Sequence, residues 1–181
     1  MKSPIDGEAL RAVMRHVPSP VTVVTIATAA GPRGVTIGSF ASVSLDPPLV
    51  SFNVSIDSSI HASIVEAERF AIHILHAGQA RLSQHFALPD SSSESQFRSV
   101  AHRSADGLPI LGEALAVLTC RRYAVHPAGD HSLFLCEVEA IHDYGLDELP
   151  ILYYRQGYRV PGDEVGAPLL SAVNRASSDT P

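Results

Sequence analysis

The stretch from Gly34 to Ser59, GVTIGSFASVSLDPPLVSFNVSIDSS, narrows most sharply what this chain can fold into. Its first half, Val35 to Leu45, sets glycine and small hydroxyl residues among apolar ones, where an ordinary buried strand carries more bulk. Such a run suits a backbone against which something flat can lie. Gly38 removes a side chain where a ligand or another backbone can approach, while Thr36, Ser39 and Ser42 offer compact donors and acceptors. Asp46-Pro47-Pro48 predicts a turn, since two prolines in series fix φ and remove two amide donors. Leu49 to Val54 then restarts an extended run.

The remaining segments are mostly strand-like. Ser3-Pro4-Ile5-Asp6 reads as a helix start, followed by Leu10, Val13, Met14 and Val17 at helical spacing. Val21 to Thr28 is a β-branched run, and Ala29 to Arg33 reads as the turn that leads out of it. Ser55 to Ser59 enters a helix with apolar positions Ile60, Ile64 and Val65; Phe70–Leu75 is a strand and Gln79–Phe86 a second short helix. Leu88 to Ala105 is polar, centres on Ser91–Ser95, and reads as a mobile lid. Ala116–His126 and Ser132–His142 predict a hairpin across Pro127–Asp130, and Pro150 to Val160 a last strand with a tight turn at Gln156-Gly157. With six or seven strands, few helices and no βαβ alternation, the pattern predicts a mainly β, closed antiparallel barrel with peripheral helices. Residues 1–160 form one domain in this reading, and 161–181 an arm whose Leu169, Leu170 and Val173 dock on a partner subunit.

Composition excludes several functions. A net charge of −6, with Lys2 the only lysine, leaves no basic face for nucleic acid. No run reaches the length of a membrane span, and the N-terminus carries acids where a signal peptide is apolar, so a cytoplasmic protein is expected. Cys120 and Cys136 have no second Cys/His pair at metal spacing, so no metal site is expected, and they read as reduced and buried. A hairpin centred near Ala128 would place the two thiols equidistant from its tip, able to face each other. No G-x-G-x-x-G fingerprint follows a strand and no G-x-S-x-G elbow occurs, which removes a Rossmann domain and the hydrolase reading.

Thr36, Ser39-Phe40, Ser42-Val43-Ser44, Pro47–Val50, Ser51-Phe52 and Ser58 resemble, in order and spacing, the signature of the flavin reductase family that supplies reduced flavin to two-component monooxygenases. The resemblance continues through Phe70–Leu75, Leu82–Ala87, Gly107–Leu111, Ala128–His131 and Leu152–Arg155, and so spans nearly everything between Arg11 and Arg159. It implies the FMN-binding split barrel, a homodimer with the flavin near the subunit interface, and a monooxygenase partner. It further implies FMN or FAD as cofactor, with NADH or NADPH as a transient second substrate. By the same resemblance Val35, Thr36, Ile37, Gly38, Ser39 and Phe40 would line the ring and ribityl chain, with Ser42 nearby and Ser51, Phe52, Asn53 and Val54 flanking from the next strand. Phe86, Gly129, Asp130, Tyr154 and Arg155 complete the implied cofactor set, and His131 is its candidate for nicotinamide positioning.

Each assignment has a structural alternative. Serine- and threonine-rich strands commonly form a solvated face. Ser58 and Ser59 sit at a predicted helix start, where unpaired amides favour a phosphate, but Asp57 or Ser58 can equally be a plain N-cap. Ile60 stands where the family has a second hydroxyl residue, and no lysine is nearby. His73 and His76, in or beside a strand, read as structural. His131 follows a glycine and an aspartate at a tight tip, where Asp130 would cap the turn and hold the imidazole rigidly. A non-catalytic flavin- or haem-binding module of the same barrel, or such a flavoenzyme turned to a biosynthetic pathway, remains the rival reading.

Overall fold

The computed structural model describes residues 5–88 and 96–163. The expected cap at Ser3-Pro4, the serine run Ser91–Ser95 and the arm beyond residue 163 lie outside them. Helix α1 (Gly7–Met14) starts at Asp6, whose carboxylate accepts from the Ala9 amide at 2.7 Å, and not three residues earlier. None of its residues is buried, so the apolar stripe Leu10, Val13 and Met14 faces outward.

The elements that follow are β1 (Ser19–Pro20), β2 (Thr22–Thr28), β3 (Gly31–Ile37), β4 (Ala41–Leu45) and β5 (Pro48–Ser55). Next come α2 (His61–Glu66), β6 (Arg69–Ile74), α3 (Ala80–Ala87), β7 (His102–Ala105), β8 (Leu108–Leu111), β9 (Ala116–Ala128), β10 (His131–Asp143), β11 (Leu152–Tyr154) and β12 (Gly157–Arg159). Seven strands form one antiparallel sheet in the order β3-β2-β6-β9-β10-β5-β4, with the small sheets β1-β11-β12 and β7-β8 beside it. The chain is thus mainly β with few helices. No backbone ladder closes the large sheet among the described residues, since β3 and β4 stand as its edges.

Side-chain alternation explains where the core sits. Phe52 of β5 points inward, stacked on Phe134 at 5.0 Å and edge-on to Phe70 at 5.7 Å, all three fully buried. Burying such side chains stabilises the fold by about 1.5–3 kcal/mol each. His73, also fully buried, ties two layers: its Nδ1–H donates to the Val23 carbonyl at 3.0 Å, and its Nε2 accepts from the Leu111 amide at 3.0 Å. Burial pulls its pKa down to about 4, so the ring is neutral and structural, as the sequence reading expected. His76 likewise caps a turn, accepting from the Gly78 amide.

Several boundaries differ from the sequence reading. The long run Val35–Leu45 is broken at Gly38–Phe40 into two strands, and the turn expected at Ala29–Arg33 shrinks because β3 already begins at Gly31, where φ is +113°. The β9–β10 hairpin turns on two residues, Gly129 and Asp130, pairing Ala128 with His131. Because the turn lies at Gly129-Asp130 and not at Ala128, Cys120 stands opposite Val138 and Cys136, after a bulge, opposite Arg122, so the thiols do not face each other across the ladder. Both are free and buried, and burial raises both pKa values, that of Cys136 to about 12. The last hairpin turns at Arg155-Gln156, both at positive φ, one residue earlier than expected. Part of the expected lid is packed structure: Gln96 and Phe97 are buried, and β7 pairs with β8.

Candidate active site

The cleft lies where the sheet fails to close. A cavity of about 520 Å³ opens between the end of β3 (Val35, Thr36, Ile37, then Gly38 and Ser39), the end of β5 (Asn53, Val54, Ser55), Ser58, and the β9–β10 tip (Ala128, His131). Ser39 spans the seam, its Oγ accepting from the Asn53 amide at 2.8 Å. That hydroxyl braces the two walls of the cleft.

The edge of β3 decides what the cleft can hold. Gly34 directs both of its peptide groups away from β2: its N–H donates to Gln96 Oε1 and its C=O accepts from Gln96 Nε2, each at 2.9 Å. By the alternation of an antiparallel ladder, the next outward peptide is that of Thr36, which no described residue takes up. A cleft walled by an open peptide edge offers an N–H and a C=O side by side, the pairing that the pyrimidine edge of a flavin needs. The residues present therefore fit the group. On the outer face of β3, α3 packs closely: Thr36 Oγ1 donates to the Ser83 carbonyl at 2.6 Å, and a Cβ at Gly34 would fall 2.7 Å from the Phe86 ring.

At the tip, His131 Nδ1 lies 2.7 Å from Asp130 Oδ1. Asp130 therefore does not cap the turn with its side chain, as the sequence suggested, but holds the imidazole. The hydrogen bond to His131, followed by the charge on that ring, keeps the Asp130 carboxyl below its ordinary pKa. In the neutral ring with Nδ1–H on the carboxylate, Nε2 is the acceptor, on a half-exposed side chain at the cleft mouth. The Asp130 carbonyl also accepts from the Ile56 amide at 3.0 Å, which fixes the tip against the end of β5.

The other expected residues divide. Ser58 and Ser59 line a second cavity of about 140 Å³ with Arg33, Phe86 and Gln96, and this cavity shares Val35 and Ser58 with the main cleft. Neither caps the helix, because α2 begins at His61 with Ile60 as its N-cap, which makes no side-chain cap bond. Phe52 is turned into the core by strand alternation, and Phe40 packs against the same core. Ser42 is exposed on the edge strand β4, and Ser51 is half-buried across from Ala41; neither lines the cleft. Gly129 supplies the turn, at φ +67°. Tyr154 and Arg155 stack on each other at 5.3 Å, away from the cleft. The missing side chain of Gly38 would look toward Ser19 and Pro20, at 3.5 and 3.8 Å, on the rim of a third cavity of about 270 Å³ lined by Tyr153 and Tyr158. Gly38 thus lies between that cavity and the main cleft, which it also lines.

Sequence reasoning missed Ser55, Ala128, Arg33 and Gln96. A Gly-Asp pair read as a two-residue turn would have brought in Ala128. Gln96 gave no local signal, since its partner is 62 residues away. Among the described residues no group of three His, Cys, Asp or Glu side chains could hold a metal ion, and no helix is long and apolar enough to cross a membrane.

The protein is thus of the mainly β class, an open-edged antiparallel sheet with a cleft at its seam and a carboxylate-held histidine at the cleft mouth. The family model described as "Flavin reductase like domain" matches residues 14–162, and the chain belongs to the flavin reductase family. It is 38% identical over 160 residues to an NADH:riboflavin 5'-phosphate oxidoreductase of Streptomyces pristinaespiralis, covering 87% of this chain and 89% of that protein. Among solved structures, it superposes with a TM-score of 0.81 and 33% identity on the NADH:FAD oxidoreductase of Streptomyces globisporus in complex with NAD and FAD fragments, over 92% of this chain and 99% of that one. Nitrilotriacetate monooxygenase component B from Mycobacterium thermoresistibile superposes with the same TM-score at 31% identity, over 89% of each chain.

Proposed function

We propose that this chain is an NAD(P)H:flavin oxidoreductase that reduces FMN or FAD and delivers the reduced flavin to a separate monooxygenase. The observation that carries the reading is the juxtaposition, in one cleft, of the open Thr36 peptide edge with the Asp130-held His131. Bound flavin supplies the hydride-accepting ring, and the residues around it supply alignment. The β3 edge orients the pyrimidine end, Val35 and Val54 give apolar contact, and the Ser39–Asn53 bond keeps the walls at a fixed spacing. His131 stands where a nicotinamide would enter, with a lone pair able to accept from its carboxamide.

The seam is the opening of the FMN-binding split barrel in this reading, and a second subunit covers it. Ile5, Leu10, Val13, Met14 and Val17 are each between 47% and 64% exposed, an apolar face that a homodimer would bury. A monomeric mass by light scattering at micromolar concentration would count against the dimer. Two free, buried cysteines and a nicotinamide co-substrate fit a cytoplasmic setting. The deciding assay is anaerobic addition of NADH, then NADPH, to the protein with excess FMN or FAD. Rapid bleaching of many equivalents of flavin is expected, and no turnover with either nucleotide would overturn the assignment.

A further inference from the structure

The main cleft runs into the second cavity at Val35 and Ser58, which gives a flavin lying along β3 a place for its ribityl phosphate. The sequence offered no lysine for that anion, and α2 is too short and begins too late to serve. Arg33 fills the gap. It shares a face of β3 with Val35 and Ile37, so its stem is drawn toward the interior while its head reaches the wall of the second cavity. Its Nε is buried without any hydrogen-bond partner, the one such side-chain atom found among the described residues. Its Nη2 makes only a long contact, 3.4 Å, with Ser59 Oγ. Asp57 lines the same space, but among the described residues no carboxylate lies within ion-pair distance of this guanidinium.

Nε and Nη2 form the side-on fork of a guanidinium, the pair of parallel donors that a phosphate accepts from two oxygens at once. A buried donor left empty on that fork is costly, and an anionic oxygen is what would satisfy it. The base of the side chain is also held in place. The neighbouring Gly34 peptide is clamped at both ends by Gln96, and the Phe86 ring occupies the space beside it. We propose that Arg33 reads the ribityl phosphate of the flavin through this fork, with the Ser59 hydroxyl beside it, so that the chain distinguishes phosphorylated flavin from riboflavin. The inference rests on the flavin reading above and assigns a binding residue to it.

The test is a set of equilibrium affinities for riboflavin, FMN and FAD, measured by flavin fluorescence on the full chain as wild type, Arg33→Met and Arg33→Lys. Methionine keeps most of the stem without the charge, and lysine keeps the charge without the fork. Losing a charge-assisted pair to a phosphate should weaken FMN and FAD by roughly ten- to a hundredfold in Arg33→Met. Riboflavin affinity should stay unchanged, Arg33→Lys should fall between, and the FMN affinity of wild type alone should drop steeply with salt. Equal losses for riboflavin and FMN would make Arg33 a packing residue and overturn the proposal, as would unchanged FMN affinity. A loss confined to FAD would overturn it too, because it would move Arg33 to the adenylate end. A wild type that binds none of the three would instead defeat the flavin reading itself.

Discussion

Exchanging Gln96 for glutamate challenges the brace on the cleft wall with a nearly isosteric change. Gln96 is only 3% exposed, and its carboxamide closes a ring of two bonds with the Gly34 peptide. A carboxylate can still accept from the Gly34 N–H but has no proton for the Gly34 carbonyl, which then faces a charged oxygen. An unmade bond to a buried group costs about 1–3 kcal/mol and an unpaired buried carboxylate adds to it, so Gln96→Glu should lose about 3 kcal/mol at pH 7.5. Protonation restores the missing donor. Desolvation and the opposed carbonyl both favour the neutral acid, so the folded-state pKa of this glutamate rises above its unfolded value. The sign follows: the folded variant binds more protons than the unfolded chain in that window, so its deficit grows as pH rises and shrinks as pH falls. The slope approaches about 1.4 kcal/mol per pH unit. Urea midpoints of variant and wild type, taken as a difference at each pH from 7.5 to 5, measure it, and FMN affinity should weaken in parallel because Gly34 and Arg33 lose their anchor. A difference that does not change with pH, or a loss below about 1 kcal/mol at pH 7.5, would refute the clamp.

Three further expectations concern neighbouring parts. Gly34→Ala should destabilise by about 1–3 kcal/mol, since its Cβ would sit 2.7 Å from Phe86 Cε1. Thermal unfolding of Gly34→Ala with and without Phe86→Leu checks this, and the smaller partner should recover part of the loss. His131→Ala should lower kcat/KM for the nicotinamide nucleotide by roughly ten- to a hundredfold with flavin affinity changing far less, and near wild-type turnover would remove His131 from the mechanism. His73, with its folded pKa near 4, binds its proton more weakly than the unfolded chain does. Its contribution is therefore whole above about pH 6.5 and is lost as pH falls toward 4, about 3 kcal/mol in all. A His73→Leu variant, less stable at pH 7.5, should show a flatter acid profile in urea unfolding.

Local chemistry made much of the fold legible. The β-branched run before Thr28 and the apolar runs around Gly129 became β2 and the β9–β10 hairpin, because strand propensity and burial agreed there. Boundaries slipped where local signals competed with pairing. Gly31-Pro32-Arg33 looks like a turn, yet it is strand, since pairing with Ile26, Ala27 and Thr28 overrides the glycine and proline. The polar run after Leu88 looked like a lid because its serines outnumber its anchors, but Gln96 and Phe97 are buried by partners far away in sequence. The thiols were misplaced by the position of the turn: a tip at Ala128 would set them face to face, but the hairpin turns at Gly129-Asp130, and the bulge before Cys136 brings that residue back only as far as Arg122.

The site was legible in its main wall and tip, where the residues are contiguous in sequence, and illegible where it depends on which peptide of an edge strand stays free. An uncovered edge strand is a template for unwanted pairing, and proteins block it with side chains, bulges or covering helices. On β3 the block is selective. Alpha-helix α3 covers the outer face, Gln96 takes the Gly34 peptide, and the Thr36 hydroxyl is turned back onto Ser83, which leaves the Thr36 peptide as the open position. A glycine and a threonine face α3 from this strand for that reason: bulk at Gly34 would displace Phe86, and an apolar residue at Thr36 would lose the bond that holds the strand to α3. With the Gly34 peptide fixed and the Thr36 peptide unblocked beside it, a flat ring would find one register on this edge, and in the proposed reading the residues that seal the edge would also align the cofactor against His131.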